Sequence, residues 1–300
     1  MEDIRVGLVG WSVHAQRYAR HLEEVPGFRL AALCRQDARA GREEARRRGV
    51  RFAPRFEDLV EGGDLDAVIL VGPTPLHAPM AVAALERGLW TLVEKPIADT
   101  LEGAEAISRA ADGDRGRAMV AHTLRFEPVA AALRDAARRV GRVRRIAVDH
   151  RTPLVGTDGV LLGMGVHFFD LFASSGLARL EDARFEDGEI DEAVPDRWFR
   201  VRWASNGIEF DLANDRRDGV QRTEDLTVTG DEGEVVLRRL GGVSEWRPRA
   251  GAPVRWELER APSLPPLLVA FRDFVRGERP PAVTISEATD ALRWVLAVKR

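Results

Sequence analysis

The chain has 300 residues, a length that suggests about two domains, and its 45% hydrophobic and 31% charged side chains are typical of a globular protein. A net charge of −3 gives no reason to expect a nucleic acid or an anionic membrane as partner, so we expect neither. Cys34 is the single cysteine, which excludes an intrachain disulfide; since no basic-then-apolar leader opens the chain, we expect a cytoplasmic protein.

Short apolar runs alternate with helical patterns over residues 1–121. The run 66–72, DAVILVG, is almost purely apolar, as a parallel strand buried on both faces requires. The next stretch predicts a helix with Thr74 as N-cap, Pro75 at the first helical position and Gly88 at its end. This repeated order predicts a doubly wound parallel sheet with helices on both faces. Strands are predicted at 4–10, 28–34, 66–72, 89–96 and 117–123, and helices at 14–24, 37–48, 74–88 and 100–111.

The loop GLVGWSVHA, residues 7–15, follows the first predicted strand directly and opens a helix. A dinucleotide-binding turn needs glycine for the tight turn, glycine where the backbone approaches the pyrophosphate, and a small residue where helix meets strand. Gly10 and Ala15 supply the first and third of these, while Ser12 stands at the second and offers a hydroxyl to the phosphates. We therefore expect a nicotinamide dinucleotide at Gly10, Trp11, Ser12, Val13, His14 and Ala15.

The residue after the second predicted strand distinguishes the two nicotinamide dinucleotides. An acid in this place binds the ribose 2′-hydroxyl of NAD, whereas an arginine accommodates the 2′-phosphate of NADP. Arg35 stands there, so NADP(H) is expected in preference to NAD(H).

Lysine is almost absent from this chain, which makes Lys95 in TLVEKPIADT (91–100) notable. Of 45 basic side chains only Lys95 and Lys299 are lysines. Arginine is permanently charged and planar, whereas lysine is a compact donor whose pKa falls on burial. A lysine kept at position 95 therefore indicates a site that needs a proton donor or an ammonium beside a carbonyl.

The pattern changes after residue 121. After a helix near 126–139, the stretch WFRVRWASNGIEFDLAN (198–214) reads as a hairpin, because Asn206-Gly207 is the strongest two-residue turn signal. It pairs Trp203 with Phe210 and Val201 with Leu212, leaving arginines and acids on the other face. A second hairpin is predicted at 227–237, and helices near 264–276 and 285–298.

Antiparallel strands with one polar face favour an open sheet over a sandwich. The predicted fold class is α/β: a Rossmann doubly wound parallel sheet over 1–121, followed over 122–300 by an α+β domain with an open, mostly antiparallel sheet. The second sheet is expected to join the chain into a homodimer or homotetramer.

The order of these motifs resembles the glucose–fructose oxidoreductase/inositol dehydrogenase (Gfo/Idh/MocA) family along nearly the whole chain. The most specific stretch is GPTPLHAPMAVAALERGLWTLVEKPIADTLEGA, residues 72–104, with its Glu-Lys-Pro after the fifth strand. The resemblance implies that Lys95 lies beside the nicotinamide and the reacting oxygen of the substrate, and that the Lys95–Pro96 peptide is often cis. Matching stretches elsewhere are AHTLRFEP (121–128), GVLLGMGVHFFDLF (159–172), GDEG (230–233) and ISEATDALR (285–293).

The family's other catalytic pair has the spacing D-x-x-x-H on a helix. In this sequence His167 is present as the implied acid/base residue, but Gly163 stands at the aspartate position. Asp170, one turn further on, is available as a carboxylate, although it reads equally as a packing residue. Cofactor contacts are also implied for Gly72, Pro73, His77, Glu94, Pro96 and His122, and substrate contacts for Lys95, His122, Gly163, His167 and Asp170. No metal site is expected, because none of the six histidines combines with Cys34 or a carboxylate at a metal-binding spacing.

The expected activity is therefore an NAD(P)-dependent hydride transfer at a carbinol or carbonyl carbon of a sugar, polyol or related small metabolite. Two alternatives stay open. One is a non-catalytic, cofactor-binding regulator, which Ser12 and Gly163 favour; the other is an NAD-dependent, redox-assisted glycosidase.

Overall fold

A computed structural model of the protein describes residues 2–153, 159–191, 193, 195–217 and 219–298; Lys299 lies outside them. The strands are β1 Ile4–Val9, β2 Phe28–Cys34, β3 Arg51–Ala53, β4 Ala67–Leu70, β5 Trp90–Glu94, β6 Ala118–Ala121, β7 Val143–Arg151, β8 Arg184–Ile190, β9 Trp198–Ser205, β10 Ile208–Asp215, β11 Thr223–Gly230, β12 Gly233–Arg238, β13 Val243–Pro248 and β14 Val254–Glu257. The α-helices are α1 Val13–Glu24, α2 Ala38–Arg48, α3 Phe56–Val60, α4 His77–Glu86, α5 Leu101–Ala110, α6 Pro128–Arg139, α7 Val166–Ser174, α8 Leu264–Val275 and α9 Ile285–Val298.

Two compact units share these elements. One consists of Met1–Thr123 with Ser263–Thr289, and the other of Leu124–Pro262 with Asp290–Arg300. Among the described residues, no helix is both long and apolar enough to cross a bilayer.

The first unit is built on a six-stranded parallel sheet with the order β3-β2-β1-β4-β5-β6. The order reverses between β1 and β4, so right-handed crossovers carry the helices of the two halves to opposite faces. The predicted doubly wound sheet is confirmed. Strand β4 is fully enclosed, as the apolar run 66–72 predicts.

Residues 263–289 depart from the predicted division, which placed all of 122–300 in the second domain. In α8, Phe271 stacks on Phe28 of β2 with ring centroids 6.4 Å apart, and Phe274 meets Trp90 of β5 edge-on at 4.9 Å. These apolar contacts hold the segment in the first unit. The amphipathic pattern of α8 predicts a buried face but not which part of the chain buries it.

The helix after β4 also starts differently from the prediction. Thr74–Leu76 form a 3-10 turn, and α4 begins only at His77, so Thr74 lies inside the turn and Pro73 takes the N-cap position. The reason is local: the amide of Leu76 donates to Pro73 O at 2.9 Å, which closes a tighter ring than an α-helix has.

The second unit contains an eight-stranded sheet with the order β14-β13-β12-β11-β7-β10-β9-β8. Within this sheet, β7 and β10 are the one described pair of neighbouring strands that run parallel. The other described pairs of the sheet are antiparallel. The expected open, mostly antiparallel sheet is confirmed, as is the hairpin register that pairs Trp203 with Phe210.

One face of this sheet is the core of the second unit. Trp203 stacks on Phe210 at 4.8 Å with the ring planes 6° apart, and it also packs against Phe169 of α7 and Trp294 of α9. The opposite face carries charges: Asp211 accepts hydrogen bonds from Arg145 and Arg200 at 2.7–2.8 Å.

Candidate active site

The carboxyl ends of the parallel strands place the predicted cofactor residues along one edge of the first sheet. Gly10 follows β1, Arg35 follows β2 and Lys95 follows β5. Open parallel sheets bind ligands at this edge, in the crevice where the strand order reverses. Here the reversal lies between β1 and β4, and Gly10 is the first residue beyond it.

Gly10 brings the ends of these two strands close together. Its φ is +97°, and a Cβ atom there would collide with the carbonyl oxygen of Val71, just after β4. Its amide donates to Cys34 O at 2.9 Å. The tight turn thus requires glycine on two grounds, the backbone angle and the space.

Ser12 is the N-cap of α1, where its side chain accepts a hydrogen bond from the Ala15 amide at 3.3 Å. The first turn contains no acidic residue. Free amides and the helix dipole make such a helix start an anion site, and the glycine turn before it leaves room for one. The residues present therefore fit a dinucleotide pyrophosphate.

The adenosine end of the predicted site is rich in arginine. Arg35 has a side chain that is 23% exposed, and its Nη2 atom lies 3.7 Å from an Asp37 oxygen. Asp37 itself caps α2 through the amides at positions 39 and 40. The guanidinium of Arg48 lies 5.3 Å from the ring centroid of Trp11 in the loop.

A buried carboxylate connects the loop to the segment that carries Lys95. Oε1 of Glu94 lies 2.8 Å from His14 Nε2 and accepts a hydrogen bond from Tyr18 OH at 2.6 Å. Oε2 accepts from the Lys95 amide at 3.1 Å. Glu94 is only 5% exposed. Its side chain therefore fixes both α1 and the start of the Lys95 segment.

The environment of Glu94 explains how a charge persists there. Burial raises the pKa of this carboxyl, but the hydrogen bond and charge of His14, the charge of Lys95 and the hydrogen bond of Tyr18 outweigh it. The pKa falls from 4.5 to about 2. Burial and Glu94 together raise the pKa of Tyr18 well above its ordinary value, so its hydroxyl stays a donor.

His77 ties together the segments that follow β4 and β5. Its Nδ1 lies 2.8 Å from Pro96 O and its Nε2 lies 3.0 Å from Gly72 O. The His77 ring is buried, and it holds the carbonyl groups of Gly72 and Pro96 in position inside the first unit. The Lys95–Pro96 peptide beside it is cis. His122, the residue after β6, is fully enclosed at the same edge of the sheet.

The other predicted residues lie in the second unit on one continuous helical segment. Leu161–Gly165 form a π-helical turn that contains Gly163 and leads directly into α7, which carries His167. Asp196 anchors its start: Oδ2 accepts from the Leu161 amide at 2.8 Å. Single π-turns of this kind occur frequently at functional sites.

Asp170 is held by an arginine that the sequence analysis did not single out. Arg125 donates Nε–H and Nη2–H to its two carboxylate oxygens at 2.8 and 2.6 Å. The Asp170 side chain has no exposed surface, and that of Arg125 is 13% exposed. This bidentate pair has a clear structural role; contact of Asp170 with a substrate stays a prediction.

A second buried charge cluster was also missed. Glu224 lies 2.6 Å from His150 Nδ1 and accepts a hydrogen bond from Arg239, which also forms a bidentate pair with Glu127. No spacing in the sequence signals this cluster, because its members come from β7, β11 and the segments next to β12 and α6. Two of the missed residues, Arg125 and Glu127, lie in the stretch TLRFEP (123–128). The resemblance of this stretch to the family was the one signal in the sequence that could have pointed to them.

Comparison with known proteins identifies the first unit independently. Residues 4–122 match the model of a family described as "Oxidoreductase family, NAD-binding Rossmann fold". This part of the chain resembles the glucose–fructose oxidoreductase/inositol dehydrogenase family. The expected resemblance is thereby confirmed, together with an NAD-binding fold.

Individual proteins match the chain over part of their length. An inositol 2-dehydrogenase of Rubrobacter xylanophilus is 32% identical over 138 residues, which are 45% of this chain and 40% of that protein. A glycosyl hydrolase family 109 protein of Shewanella sp. is 32% identical over 112 residues, 34% of this chain and 25% of that protein. The chain thus spans less than half the length of either protein.

Solved structures extend the likeness of fold to nearly the whole chain. A 3-ketoreductase from Actinomadura kijaniata, in complex with TDP-benzene and NADP, superposes with a TM-score of 0.87 over 99% of this chain and 97% of that one. The two are 20% identical, so the comparison establishes the common fold only.

The low pKa of Glu94 generates a prediction about stability. Because the pKa is lowered on folding, the carboxylate stabilises the fold above pH 4.5, and this contribution is lost as the pH falls from 4.5 towards 2. Glu94→Gln should remove about 3 kcal/mol at pH 7, and the difference from wild type should shrink on acidification. Urea unfolding between pH 3 and pH 7 measures both.

Glu86→Gln is the matched control, since Glu86 is an exposed residue at the end of α4. It should change stability by less than about 0.5 kcal/mol at every pH. A Glu94→Gln protein whose deficit does not depend on pH would contradict the assigned charge state of Glu94.

Proposed function

We propose that the protein is a nicotinamide-dependent oxidoreductase that transfers a hydride between C4 of the nicotinamide and a carbinol or carbonyl carbon of a sugar, polyol or related small metabolite. The observation that carries this proposal is the Glu94 carboxylate, which binds the dinucleotide loop through His14 and the Lys95 segment through its amide. It fixes the expected phosphate site and the expected catalytic lysine within one rigid arrangement.

Lys95 is the group proposed to act on the substrate oxygen. An ammonium beside a carbonyl polarises it and stabilises the negative charge that develops on oxygen during reduction. The neighbouring Glu94 carboxylate keeps positive charge favourable at this point, while His77 fixes the carbonyl of Pro96. The bound cofactor supplies or accepts the hydride.

His167 is proposed to move the proton at the substrate oxygen. Imidazole titrates near neutral pH, which suits a group that gives and takes a proton in one cycle. Because Gly163 stands at the family's aspartate position, His167 has no carboxylate side chain one turn earlier on the helix.

NADP(H) is the proposed cofactor. Arg35 at the end of β2 presents a guanidinium where a ribose-binding acid would stand in an NAD-preferring site. Its Nη2 atom lies 3.7 Å from Asp37 Oδ2, which is long for a hydrogen bond. Arg35 is therefore available to bind a 2′-phosphate.

Two other functions have specific support. Gly163 favours a cofactor-binding regulator without turnover, and the glycosyl hydrolase relative favours glycoside cleavage with an internally recycled NAD. Turnover of free cofactor distinguishes the proposed oxidoreductase from both. Release of sugar from a glycoside without net change in NADH absorbance identifies the glycosidase.

A homodimer or homotetramer is proposed to form through the open face of the eight-stranded sheet. Arg145, Arg200 and Asp211 lie on this face, with the arginine side chains about half exposed. Light scattering at micromolar concentration should give the mass of two or four chains, and Arg200→Glu should lower it by placing like charges in the contact. A monomeric wild-type mass contradicts this proposal.

Lys95→Met tests the catalytic assignment. Removing a group that acts mainly in the transition state should leave the NADPH dissociation constant within about threefold while turnover falls ~10²–10⁴-fold. Binding is measured by NADPH fluorescence, and turnover by absorbance with glucose, xylose, sorbitol and myo-inositol.

Lys299→Met, the same substitution at the only other lysine, is the control and should keep wild-type turnover. If wild type turns over none of these compounds and Lys95→Met alters only ligand affinity, the regulator is the better description.

Arg35→Asp tests the cofactor preference. The substitution removes a charged hydrogen bond to the 2′-phosphate and offers a carboxylate to the ribose hydroxyls, so NADPH should bind roughly 10- to 100-fold more weakly and NADH more tightly. Arg46→Asp, at the far end of α2, controls for the change in net charge. Equal affinities for both cofactors in wild type and in Arg35→Asp would refute the preference.

A further inference from the structure

A partly exposed histidine stands at the start of α1, next to the loop where the pyrophosphate is expected. His14 is the second residue of α1 and follows the N-cap Ser12 by two positions. Its side chain is 37% exposed, whereas that of its partner Glu94 is 6% exposed. The ring thus links a buried carboxylate to the surface of the first unit, and the proposed hydride transfer gives it no chemical role.

The Glu94 carboxylate determines where His14 carries its hydrogen. Burial raises the pKa of Glu94, but hydrogen bonds and charges, those of His14 first, lower it to about 2. The ionised carboxylate only accepts hydrogen bonds, and its Oε1 lies 2.8 Å from His14 Nε2, so Nε2 carries hydrogen. In the neutral ring this leaves the lone pair on Nδ1, whereas in the imidazolium both nitrogens carry hydrogen.

Nδ1 is the atom of His14 that remains for a ligand. It has no hydrogen-bond partner among the residues that the structure describes, whereas Nε2 is used by Glu94. Tyr18, one turn further along α1, meets the ring edge-on with centroids 5.3 Å apart and donates its hydroxyl to Glu94 Oε1 at 2.6 Å. Glu94 and Tyr18 therefore hold the ring in one orientation, with Nδ1 unused.

Four titratable or charged groups lie around this ring and its partner. Glu94 and Lys95 come from the end of β5 and the residue after it, and Tyr18 and Arg17 come from α1. Burial and Glu94 raise the pKa of Tyr18 well above its ordinary value, so Tyr18 stays neutral. Glu94 favours positive charge on His14, while the like charges of Lys95 and Arg17 oppose it. The negative charge of a pyrophosphate at the helix start offsets this opposition and favours the imidazolium.

We propose that the His14 imidazolium donates its Nδ1–H to the pyrophosphate of the nicotinamide dinucleotide, and that His14 takes up this proton from solvent when the dinucleotide binds. The inference rests on the proposed oxidoreductase function, because it concerns the cofactor of that reaction. A neutral ring would turn a lone pair towards the phosphate oxygens, whereas the cation forms a charge-assisted hydrogen bond with them. Glu94 is the counter-ion that the chain itself provides for this cation.

A dependence of cofactor affinity on pH follows from this role. Imidazole titrates near neutral pH, so the protonated ring and its hydrogen bond are present at low pH. Both are lost as the pH rises through the titration of the ring. The affinity of the protein for the dinucleotide should therefore be highest on the acidic side of neutrality and fall towards alkaline pH.

Proton uptake is measured by isothermal titration calorimetry of NADH into the full-length protein, in two buffers with different enthalpies of ionisation. NADH lacks the 2′-phosphate, so that group contributes no proton. Wild type should take up a fraction of one proton for each NADH near neutral pH, and His14→Gln should take up none. The control is His21→Gln, because His21 Nδ1 also lies 2.6 Å from a carboxylate oxygen, at the other end of α1. It should keep the wild-type uptake. Equal uptake by wild type and His14→Gln overturns the proposal.

The dissociation constants of NADH and NADPH between pH 6 and pH 9, from nicotinamide fluorescence, provide the second test. Wild type should bind each roughly 10- to 100-fold more weakly at the alkaline end, the size of one charged hydrogen bond. His14→Gln should bind weakly at every pH. His14→Arg should bind tightly at every pH, because a guanidinium stays charged and has donors for both Glu94 and a phosphate. A merely structural role of His14 does not predict this rescue.

His14→Arg also decides the question if His14→Gln fails to fold, since it keeps a cation beside the buried carboxylate. It should bind NADH without proton uptake. A His14→Arg protein that takes up as many protons as wild type, or whose affinity follows the wild-type dependence on pH, contradicts the assignment.

The outcomes separate this proposal from the proposed function. If both dinucleotides bind, Lys95→Met is inactive and His14→Gln binds like wild type at every pH, the His14 assignment is wrong while the oxidoreductase function stands. If neither NADH nor NADPH binds to wild type, the oxidoreductase function fails and the role of His14 fails with it.

Discussion

Parallel strand pairing is the constraint on which the first unit depends. It sends the ends of β1, β2, β4, β5 and β6 to one edge, so residues far apart in sequence become neighbours without any direct attraction between them. Gly10, Arg35 and Lys95 are therefore arranged by the backbone of the sheet, and their side chains need only be suitable once they are there. Helix α8 adds apolar cover to this unit from a distant part of the chain.

Within that arrangement, Glu94 supplies the precision that strand pairing does not. A buried carboxylate is costly unless its oxygens are fully hydrogen-bonded, and here they are used by His14, Tyr18 and the Lys95 amide. Breaking any one contact leaves part of a buried charge without compensation. This makes the geometry of the loop and the geometry of the Lys95 backbone depend on each other.

Residues whose signal is local were predictable from the sequence. The Asn206-Gly207 turn fixed the hairpin register, continuous apolar runs located the central strands of the first sheet, and the scarcity of lysine directed attention to Lys95. Edge strands such as β8 and β14 gave no signal, because most of their side chains are exposed and no apolar alternation develops. The pairs Arg125–Asp170 and His150–Glu224 were missed for another reason: each joins two elements whose proximity follows from the fold, and neither side chain alone differs from an ordinary surface residue.

The two units use buried polar groups in different ways. In the first, His77 and Glu94 have protein partners on their polar atoms, so these side chains hold backbone segments in place. In the second, Glu224 is bound by Arg239, whereas Nε2 of His150 and the amide of Asn214 remain without protein partners in the described part of the chain. Saturated polar groups rigidify a structure, and unsaturated ones in a core are retained only when something else binds them. Among the described residues, the buried polar groups His77 and Glu94 therefore stabilise the backbone of the first unit, while part of the hydrogen-bonding capacity in the core of the second unit is not used by the chain itself.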